Sequence, residues 1–175
     1  MAVRRVVTGT SPAGTESFVS DGPPPHVLSD MPGVEITYVW ATDEVVAMPQ
    51  TGVESTRADQ DFFPPPGGVR FLHITYPPGF GLDDPPEGVK TDFDDMAAHA
   101  EVGQLLVHAT ETVDYGVVLA GELCLVLPSG DEVALRAGDL VVQNGVVHGW
   151  RNRSDETATV VFVIVGARPA AAVKR

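Results

Sequence analysis

The sequence predicts an all-β protein, built as a sandwich or barrel of short strands. From residue 104 to residue 167, short apolar segments alternate with turns rich in glycine, proline and acidic residues, and no segment with a helical period interrupts them. Short strands at regular spacing are typical of sandwiches and barrels. The chain has 175 residues, of which 43% are hydrophobic, so it can bury one core and its length requires no second domain.

The first 69 residues are predicted to form an arm of short strands that packs on the barrel. Clusters of proline and glycine end any long element at 22–25, 32–33 and 64–68. Short strands fit between these breaks at 4–7, 17–20 and 34–41. Residues 42–66 are predicted to be a long loop, which either crosses a partner or forms the rim of a site.

Residues 70–167 are predicted to form the barrel, and 168–175 a C-terminal tail. The first strong strand, 70–76, ends at a Pro-Pro-Gly turn because proline has no amide hydrogen to continue the ladder. The acidic stretch 80–103 predicts one short helix, with Thr91 and Asp94 capping its first turn. This helix is either a solvated surface helix or a lid beside the site. Further strands are predicted at 122–127, 132–136, 140–143 and 157–165.

The composition argues against several classes of partner. The net charge is −13, with 24 acidic and 11 basic residues, whereas phosphate binding requires clustered lysine and arginine. No apolar run approaches the roughly 20 residues of a membrane span, and the N-terminus lacks the apolar core of a secretion signal. The single cysteine, Cys124, cannot form an internal disulfide. We therefore expect a cytoplasmic protein with no nucleic-acid and no membrane partner.

Two polar segments in apolar surroundings predict a pocket. The first, 108–121, reads HATETVDYGVVLAG. If it is a strand, His108, Thr110, Thr112 and Asp114 share one face, as the lining of a pocket would. The second, 138–152, reads GDLVVQNGVVHGWRN, and its His148, Trp150 and Asn152 share one parity. Both segments are candidates for a small-molecule site.

Together these segments resemble the two motifs of small single-domain cupins. Counting back from Gly121, the carboxylate position of the first motif holds Asp114, and its two histidine positions hold His108 and Thr110. The second motif is matched by Gly138, Gly145, His148 and Asn152, but it lacks a proline and its turn is one residue shorter. The resemblance implies a cupin double-stranded β-helix, or jelly-roll barrel, over 70–167. It also implies a homodimer, because small cupins commonly pair through strands like those of the arm.

The resemblance and the donor set imply one divalent transition metal per chain. The ligands would be His108, Asp114 and His148. Two histidines and one carboxylate with open positions suit Fe(II), and Mn, Ni or Zn also occupy such sets. Thr110 is a poor ligand at a position where the family usually has histidine. Either the metal is held by three protein ligands and water, or it has been lost.

Asp114 and His148 are also the candidate catalytic residues, and five others are candidates for substrate binding. The five are Thr110, Thr112, His73, Gln143 and Trp150. Each has a structural alternative: the threonines are common in strands, Gln143 lies in a turn, and Trp150 suits a core. His73 alternates with Phe71 and Thr75 on strand 70–76, so it lines the same cavity or is an ordinary core or surface histidine.

The function predicted from these residues is a metal-dependent cupin enzyme acting on a small apolar carbonyl or phenolic compound of secondary metabolism. The reaction would be a dioxygenation, or a non-redox isomerisation, elimination or dehydration. Two alternatives remain open. One is a metal-independent enzyme in which Asp114 and His148 act as general base and acid. The other is a module that binds a small ligand in the same cavity without turnover.

Overall fold

The computed structural model describes residues 3–29, 31–81 and 107–169. The short helix predicted within 80–103 lies outside these ranges. Strands within the described ranges are numbered here in chain order: β1 Arg5–Thr10, β2 Glu16–Gly22, β3 Val27–Leu28, β4 Glu35–Thr42, β5 Val69–Tyr76, β6 Val107–His108, β7 Thr112–Ala120, β8 Glu122–Val126, β9 Glu132–Arg136, β10 Leu140–Gln143, β11 His148–Arg151 and β12 Ala158–Gly166.

Two antiparallel sheets form the body of the fold. The larger has the order β10-β7-β12-β5-β4-β3 and the smaller has the order β6-β11-β8-β9. β3 and β4, from the segment predicted as an arm, extend the larger sheet beside β5. β1 and β2 pair only with each other among the described strands and form a separate hairpin. The predicted all-β jelly-roll fold is confirmed.

The core lies between the two sheets and follows the alternation of the central strands. On β5, Leu72 and Ile74 point inward, and on β12, Val160 and Phe162 pack against them. The smaller sheet contributes Trp150, among others, from its inner face. Because successive strand residues point to opposite sides, the inward parity of β5, β7 and β12 fixes which polar side chains share this interior.

A glycine closes the β7–β8 hairpin because no other residue fits. Gly121 has a φ of 70°, and a Cβ placed on it would lie 2.7 Å from the carbonyl oxygen of Thr157. A side chain would therefore be strained in backbone conformation and would also clash with main chain. This requirement accounts for the glycine at the end of the first motif.

Two buried arginines attach the N-terminal third to the larger sheet. Arg70 is 1% exposed and donates to the carbonyl oxygens of Thr42 and Asp61 and to Asp43 Oδ1, at 2.7–2.9 Å. Arg5 donates to the Val39 carbonyl oxygen at 3.1 Å. The same side chain also forms a two-point ion pair with Glu54. Such charge-assisted bonds fix the base of the β1–β2 hairpin.

The Arg5–Glu54 ion pair predicts a loss of stability in acid. Hydrogen bonding from Arg5 is the largest cause that lowers the pKa of Glu54 from its ordinary value of 4.5 to about 2. A lowered pKa stabilises the fold above pH 4.5, and this stabilisation is lost as the pH falls from 4.5 to about 2. We expect Glu54→Gln to destabilise the protein at neutral pH and to reduce the acid sensitivity of urea unfolding in that window. The exposed Glu44→Gln is the matched control, and equal acid sensitivity in the two variants would contradict the assignment.

Candidate functional site

Two chain segments far apart in sequence lie side by side at the site. His108 of β6 is the cross-strand partner of His148 of β11, and Asp114 of β7 is the partner of Gln143 of β10. Between these pairs, Gly145 has a φ of 64°, and a Cβ added there would lie 2.7 Å from the Thr110 carbonyl oxygen. The glycine of the second motif therefore allows the two segments to touch. The shortened turn of the second motif thus places most of the predicted polar residues along the contact between the two segments.

A chain of hydroxyl groups leads to the buried carboxyl group of Asp114. Thr112 Oγ1 donates to Asp114 Oδ1 at 2.6 Å, and the Oγ1 atoms of Thr110 and Thr112 are 2.7 Å apart. All three side chains are buried. When Asp114 is ionised, the Thr112 hydrogen lies on the carboxylate, so Thr110 is the donor to Thr112. The two threonines thus hold the carboxyl group rather than only favouring a strand.

Burial makes Asp114 a proton carrier near neutral pH. It raises the pKa of Asp114 to about 6, and the hydrogen bond from Thr112 opposes this rise. The pKa of Tyr76 is raised by burial and, next, by the charge of Asp114. Both side chains are buried, at 6% exposure each, and Tyr76 is a member of the core. A carboxyl group with such a pKa can take up and return a proton at physiological pH.

The two imidazoles form part of an aromatic wall. The ring centroids of His108 and His148 are 4.7 Å apart. Phe63 lies 5.6 Å from His108, and Trp150 lies 5.9 Å from His148, edge to face. Trp150 in turn contacts Phe162 at 5.5 Å. Trp150 is therefore a wall of the site and also a member of the core, so the two interpretations offered by the sequence are compatible.

The tautomer of His148 follows from its backbone contact. His148 Nδ1 lies 2.9 Å from the carbonyl oxygen of Val146. A carbonyl oxygen can only accept, so Nδ1 carries the hydrogen and Nε2 keeps its lone pair. Burial lowers the pKa of His148, with the Val146 contact acting in the opposite direction. His148 is thus a neutral imidazole that accepts a hydrogen bond or donates its Nε2 lone pair to an ion.

The described residues do not fit the predicted three-ligand metal site. Within 3–29, 31–81 and 107–169, no three side chains of histidine, cysteine, aspartate or glutamate group closely enough to hold one ion. His108 and His148 are brought together, but Asp114 is held by Thr112 on β7 of the other sheet. This corrects the geometry on which the sequence-based ligand set depended. Two imidazoles remain as nitrogen donors.

His73 is the candidate that the structure places elsewhere. Leu72 and Ile74 take the inward parity of β5, so His73 lies on the outer face of the larger sheet. Its cross-strand partners there are Thr37 and Val161. Burial against these neighbours lowers its pKa. The alternation of residues along 70–76 already placed His73 on the face opposite Leu72 and Ile74. This alternation favoured a position away from the cavity.

Sequence reasoning missed three residues at the site. Phe63 comes from the long loop 42–66, which has no periodicity that could have indicated an inward side chain. Phe162 lies on a strand that is apolar at both parities, so its direction was ambiguous. Tyr76 shared parity with Leu72 and Ile74, and a tyrosine among core residues on one strand was the available signal.

One known family matches the part of the chain that carries the site. Residues 94–165 match the family model described as the cupin domain. The pairs His108–His148 and Asp114–Gln143 both lie within these matched residues.

Proteins similar to part of this chain include ones named for biosynthesis clusters. Phomopsin biosynthesis cluster protein C' of Diaporthe leptostromiformis is 52% identical over 68 residues, which are 38% of this chain and 36% of that protein. The cupin-domain-containing oxidoreductase srdB of Neurospora crassa is 36% identical over 64 residues, 36% of this chain and 33% of that protein. The matched region thus spans about a third of the length of these relatives.

Among solved structures, the cupin domain of Schizosaccharomyces pombe Cnp3 is similar over 95% of this chain and 89% of that chain, with 8% identity and a TM-score of 0.49. In the described part of the chain, no helix is long and apolar enough to cross a bilayer. The cytoplasmic location expected from the sequence stays a prediction.

Proposed function

We propose that this cupin is an enzyme that moves a proton on a small, largely apolar carbonyl or phenolic metabolite, with Asp114 as the proton carrier. The observation that carries this proposal is the state of Asp114: a buried carboxyl group, fixed by Thr112 at 2.6 Å, whose pKa is raised to about 6. Ordinary structural carboxyl groups are exposed or paired with a cation. A carboxyl group held this way by hydroxyl groups is suited to general acid–base work.

In the proposed step, the Asp114 carboxylate removes a proton from the carbon next to a carbonyl group of the substrate. The electron pair of the broken C–H bond moves onto the carbonyl oxygen and gives an enolate. The Gln143 amide, opposite Asp114 in the β7–β10 pair, has two N–H donors for this oxygen. Return of the proton from Asp114 to another atom completes an isomerisation, and loss of a neighbouring hydroxyl group as water completes a dehydration.

The aromatic wall supplies binding and orientation in this proposal. Phe63, Trp150 and Phe162 offer an apolar surface for the body of the metabolite. The Nε2 lone pair of His148 accepts a hydrogen bond from a phenolic or enolic hydroxyl group. The names of relatives from biosynthesis clusters support a role in secondary metabolism. The oxidoreductase name of another relative is compatible with proton removal as one part of an oxidation.

A metal-dependent reaction is the second candidate function. The facing imidazoles of His108 and His148 favour it, because imidazole is a ligand that suits Fe, Mn, Ni and Zn. A metal held there would supply a Lewis acid for a substrate oxygen. The described residues offer two such donors and not the three predicted from the sequence. This difference ranks the metal-dependent function below the acid–base function.

Hydrogen–deuterium exchange tests the proposal without knowledge of the natural product. The protein is incubated in D₂O with a panel of phenolic ketones and cyclic diketones, and replacement of carbon-bound hydrogen is followed by NMR. We expect exchange that persists after dialysis against a chelator. Exchange that disappears on chelation and returns with Fe, Mn, Ni or Zn would favour the second candidate. Binding of panel compounds with no exchange would contradict both and favour the ligand-binding module.

A further inference from the structure

The long loop 42–66 is fixed at both ends by one buried arginine. Arg70 has the inward parity of β5 and is 1% exposed. Its Nη1 donates to the carbonyl oxygen of Thr42 at 2.8 Å, and its Nε donates to that of Asp61 at 2.9 Å. Its Nη2 donates to Asp43 Oδ1 at 2.7 Å. One guanidinium group therefore joins the first residues of the loop to a residue near its end.

This connection depends on the forked geometry of arginine. A buried charge is costly unless it is paired and hydrogen-bonded, and each of the three side-chain nitrogens of Arg70 has a partner. A lysine would keep the charge, but its donors radiate from a single atom and cannot hold three separate acceptors in the same way. The contacts therefore account for an arginine at a parity that Leu72 and Ile74 otherwise occupy.

The chain that follows Phe63 is held against the end of β12. A Cβ added to Gly166 would overlap the carbonyl oxygen of Pro65, so the two backbones touch. The Gly67 amide donates to the Gly166 carbonyl oxygen at 3.0 Å, and the Gly166 amide donates to the Gly68 carbonyl oxygen at 3.0 Å. Phe63 therefore lies between two fixed points of the backbone, the carbonyl group held by the arginine and this contact with β12.

Phe63 is the residue that the fixed loop brings to the site. It is 9% exposed, its ring centroid lies 5.6 Å from that of His108, and it meets Phe62 edge to face at 4.9 Å. The family model matches residues 94–165, so Phe63 and Arg70 lie outside the match, whereas His108 lies within it. The aromatic wall of the site is thus completed by a loop that the matched residues do not include.

We propose that Arg70 is a positioning residue that holds Phe63 against His108, and that Phe63 limits the size of the substrate. The inference rests on the proposed function, because it names the residue that decides which apolar metabolites fit the site. A close-packed ring whose backbone is fixed on both sides does not move aside for a larger ligand. The loop 42–66 is therefore the rim of a site, which is one of the two alternatives that the sequence left open.

Two variants separate the ring from its support. Phe63→Ala removes the ring, whereas Arg70→Lys keeps the ring and loosens the backbone that carries it. The probes are hydroxyacetophenone and a derivative with an added phenyl ring, and calorimetry gives the affinity for each. We expect Phe63→Ala to shift the ratio of the two affinities towards the larger probe by at least about 10-fold, the scale of one group in an apolar pocket. We expect Arg70→Lys to shift the ratio in the same direction by about 3- to 30-fold, the scale of a coupled residue.

Arg5→Lys is the matched control. Arg5 is also a buried arginine, and it binds the Val39 carbonyl oxygen and Glu54 of the same loop. None of its hydrogen bonds in the described part of the chain reaches Asp61. A purely structural loss lowers the folded fraction and weakens both probes alike, so Arg5→Lys should leave the ratio of affinities unchanged. An equal shift of the ratio in Arg5→Lys and Arg70→Lys would overturn the proposal.

The imidazole NMR signals of His108 test the positioning without any ligand. The ring current of Phe63 acts on these signals from 5.6 Å, and Phe63→Ala defines their positions without the ring. We expect Arg70→Lys to move the signals towards that reference and Arg5→Lys to leave them in place. If Arg70→Lys fails to fold, as judged by circular dichroism, Asp43→Asn replaces it, because this change removes the charge to which Arg70 Nη2 donates and keeps an acceptor.

The two measurements distinguish failure of this inference from failure of the proposed function. If the compact probe binds, and neither Phe63→Ala nor Arg70→Lys shifts the ratio of affinities, the inference is overturned and the proposed function stands. If the wild type binds neither probe, the proposed substrate class is contradicted and the size limit with it. The His108 signals then decide the positioning alone, and signals that stay in place in Arg70→Lys overturn it.

Discussion

Replacing Asp114 by asparagine is expected to lower the rate of deuterium exchange into a substrate by about 100-fold or more, the usual contribution of a positioned general base. Asparagine keeps the size of the side chain and can still accept from Thr112, but it cannot take up a proton. Substrate affinity, measured by calorimetry, should change little. If Asp114→Asn exchanges deuterium at a rate within a few-fold of wild type, the loss is far smaller than the expected contribution of a general base. Such a result would exclude Asp114 as the proton carrier.

The stability of this variant separates loss of chemistry from loss of fold. The pKa of Asp114 is raised in the folded protein, so its contribution to stability is full below the ordinary value of 3.8 and is lost as the pH rises through about 6. The asparagine side chain has no such charge to bury, so Asp114→Asn should be at least as stable as wild type at pH 7. Asp155→Asn, at an exposed turn position, is the matched control and should leave both the exchange rate and stability unchanged.

The pH profile gives an independent readout of the same group. Exchange by the wild type should fall as the pH drops through about 6, because the carboxylate form is required. Thr112 donates to that form and so opposes the rise in pKa. Thr112→Val should therefore move the acidic limb of the profile to higher pH while the rate at its plateau is kept. An acidic limb that does not move would mean that the limb reports another group.

Much of the fold could be predicted because the strands are short and bounded by residues that end them. The predicted strand at 132–136 coincides with β9, and the one at 140–143 coincides with β10. The role of β3 and β4 was harder to foresee. β4 pairs with β5 across a long loop, and β3 pairs with β4. Strand pairing between distant segments depends on tertiary contacts that a local pattern does not contain.

The site was predicted in part, for reasons that differ from residue to residue. His108 and His148 come together because β6 and β11 pair at these residues, and Gly145 allows the close approach of the two segments at the Thr110 carbonyl oxygen. Asp114 is a buried residue of β7, but motif spacing gives no distance between a carboxyl group on one sheet and imidazoles on another. The ligand set therefore required a geometry that spacing alone could not supply.

Asn152, a residue of the second motif, has a structural role in this chain. The side chain is 0% exposed, and its Nδ2 donates to the carbonyl oxygens of Tyr76 and Glu156 at 3.0 and 2.8 Å. Its Oδ1 accepts from the amide and the hydroxyl group of Ser154 at 3.0 and 2.7 Å. The side-chain amide group of Asn152 thus joins the end of β5 to the turn that follows β11. His148 lies on β11.

Asn152→Ala is therefore expected to reduce the free energy of unfolding by about 2–4 kcal/mol, because it leaves buried carbonyl groups and the Ser154 amide without their partner. Urea unfolding measures this loss, and the exposed Asn144→Ala is the matched control, with a change expected within about 0.5 kcal/mol. Well below its melting temperature, the Asn152→Ala variant should keep its rate of deuterium exchange, since the lost bonds anchor backbone and do not contact Asp114. A stable variant with no exchange would assign Asn152 to the chemistry instead.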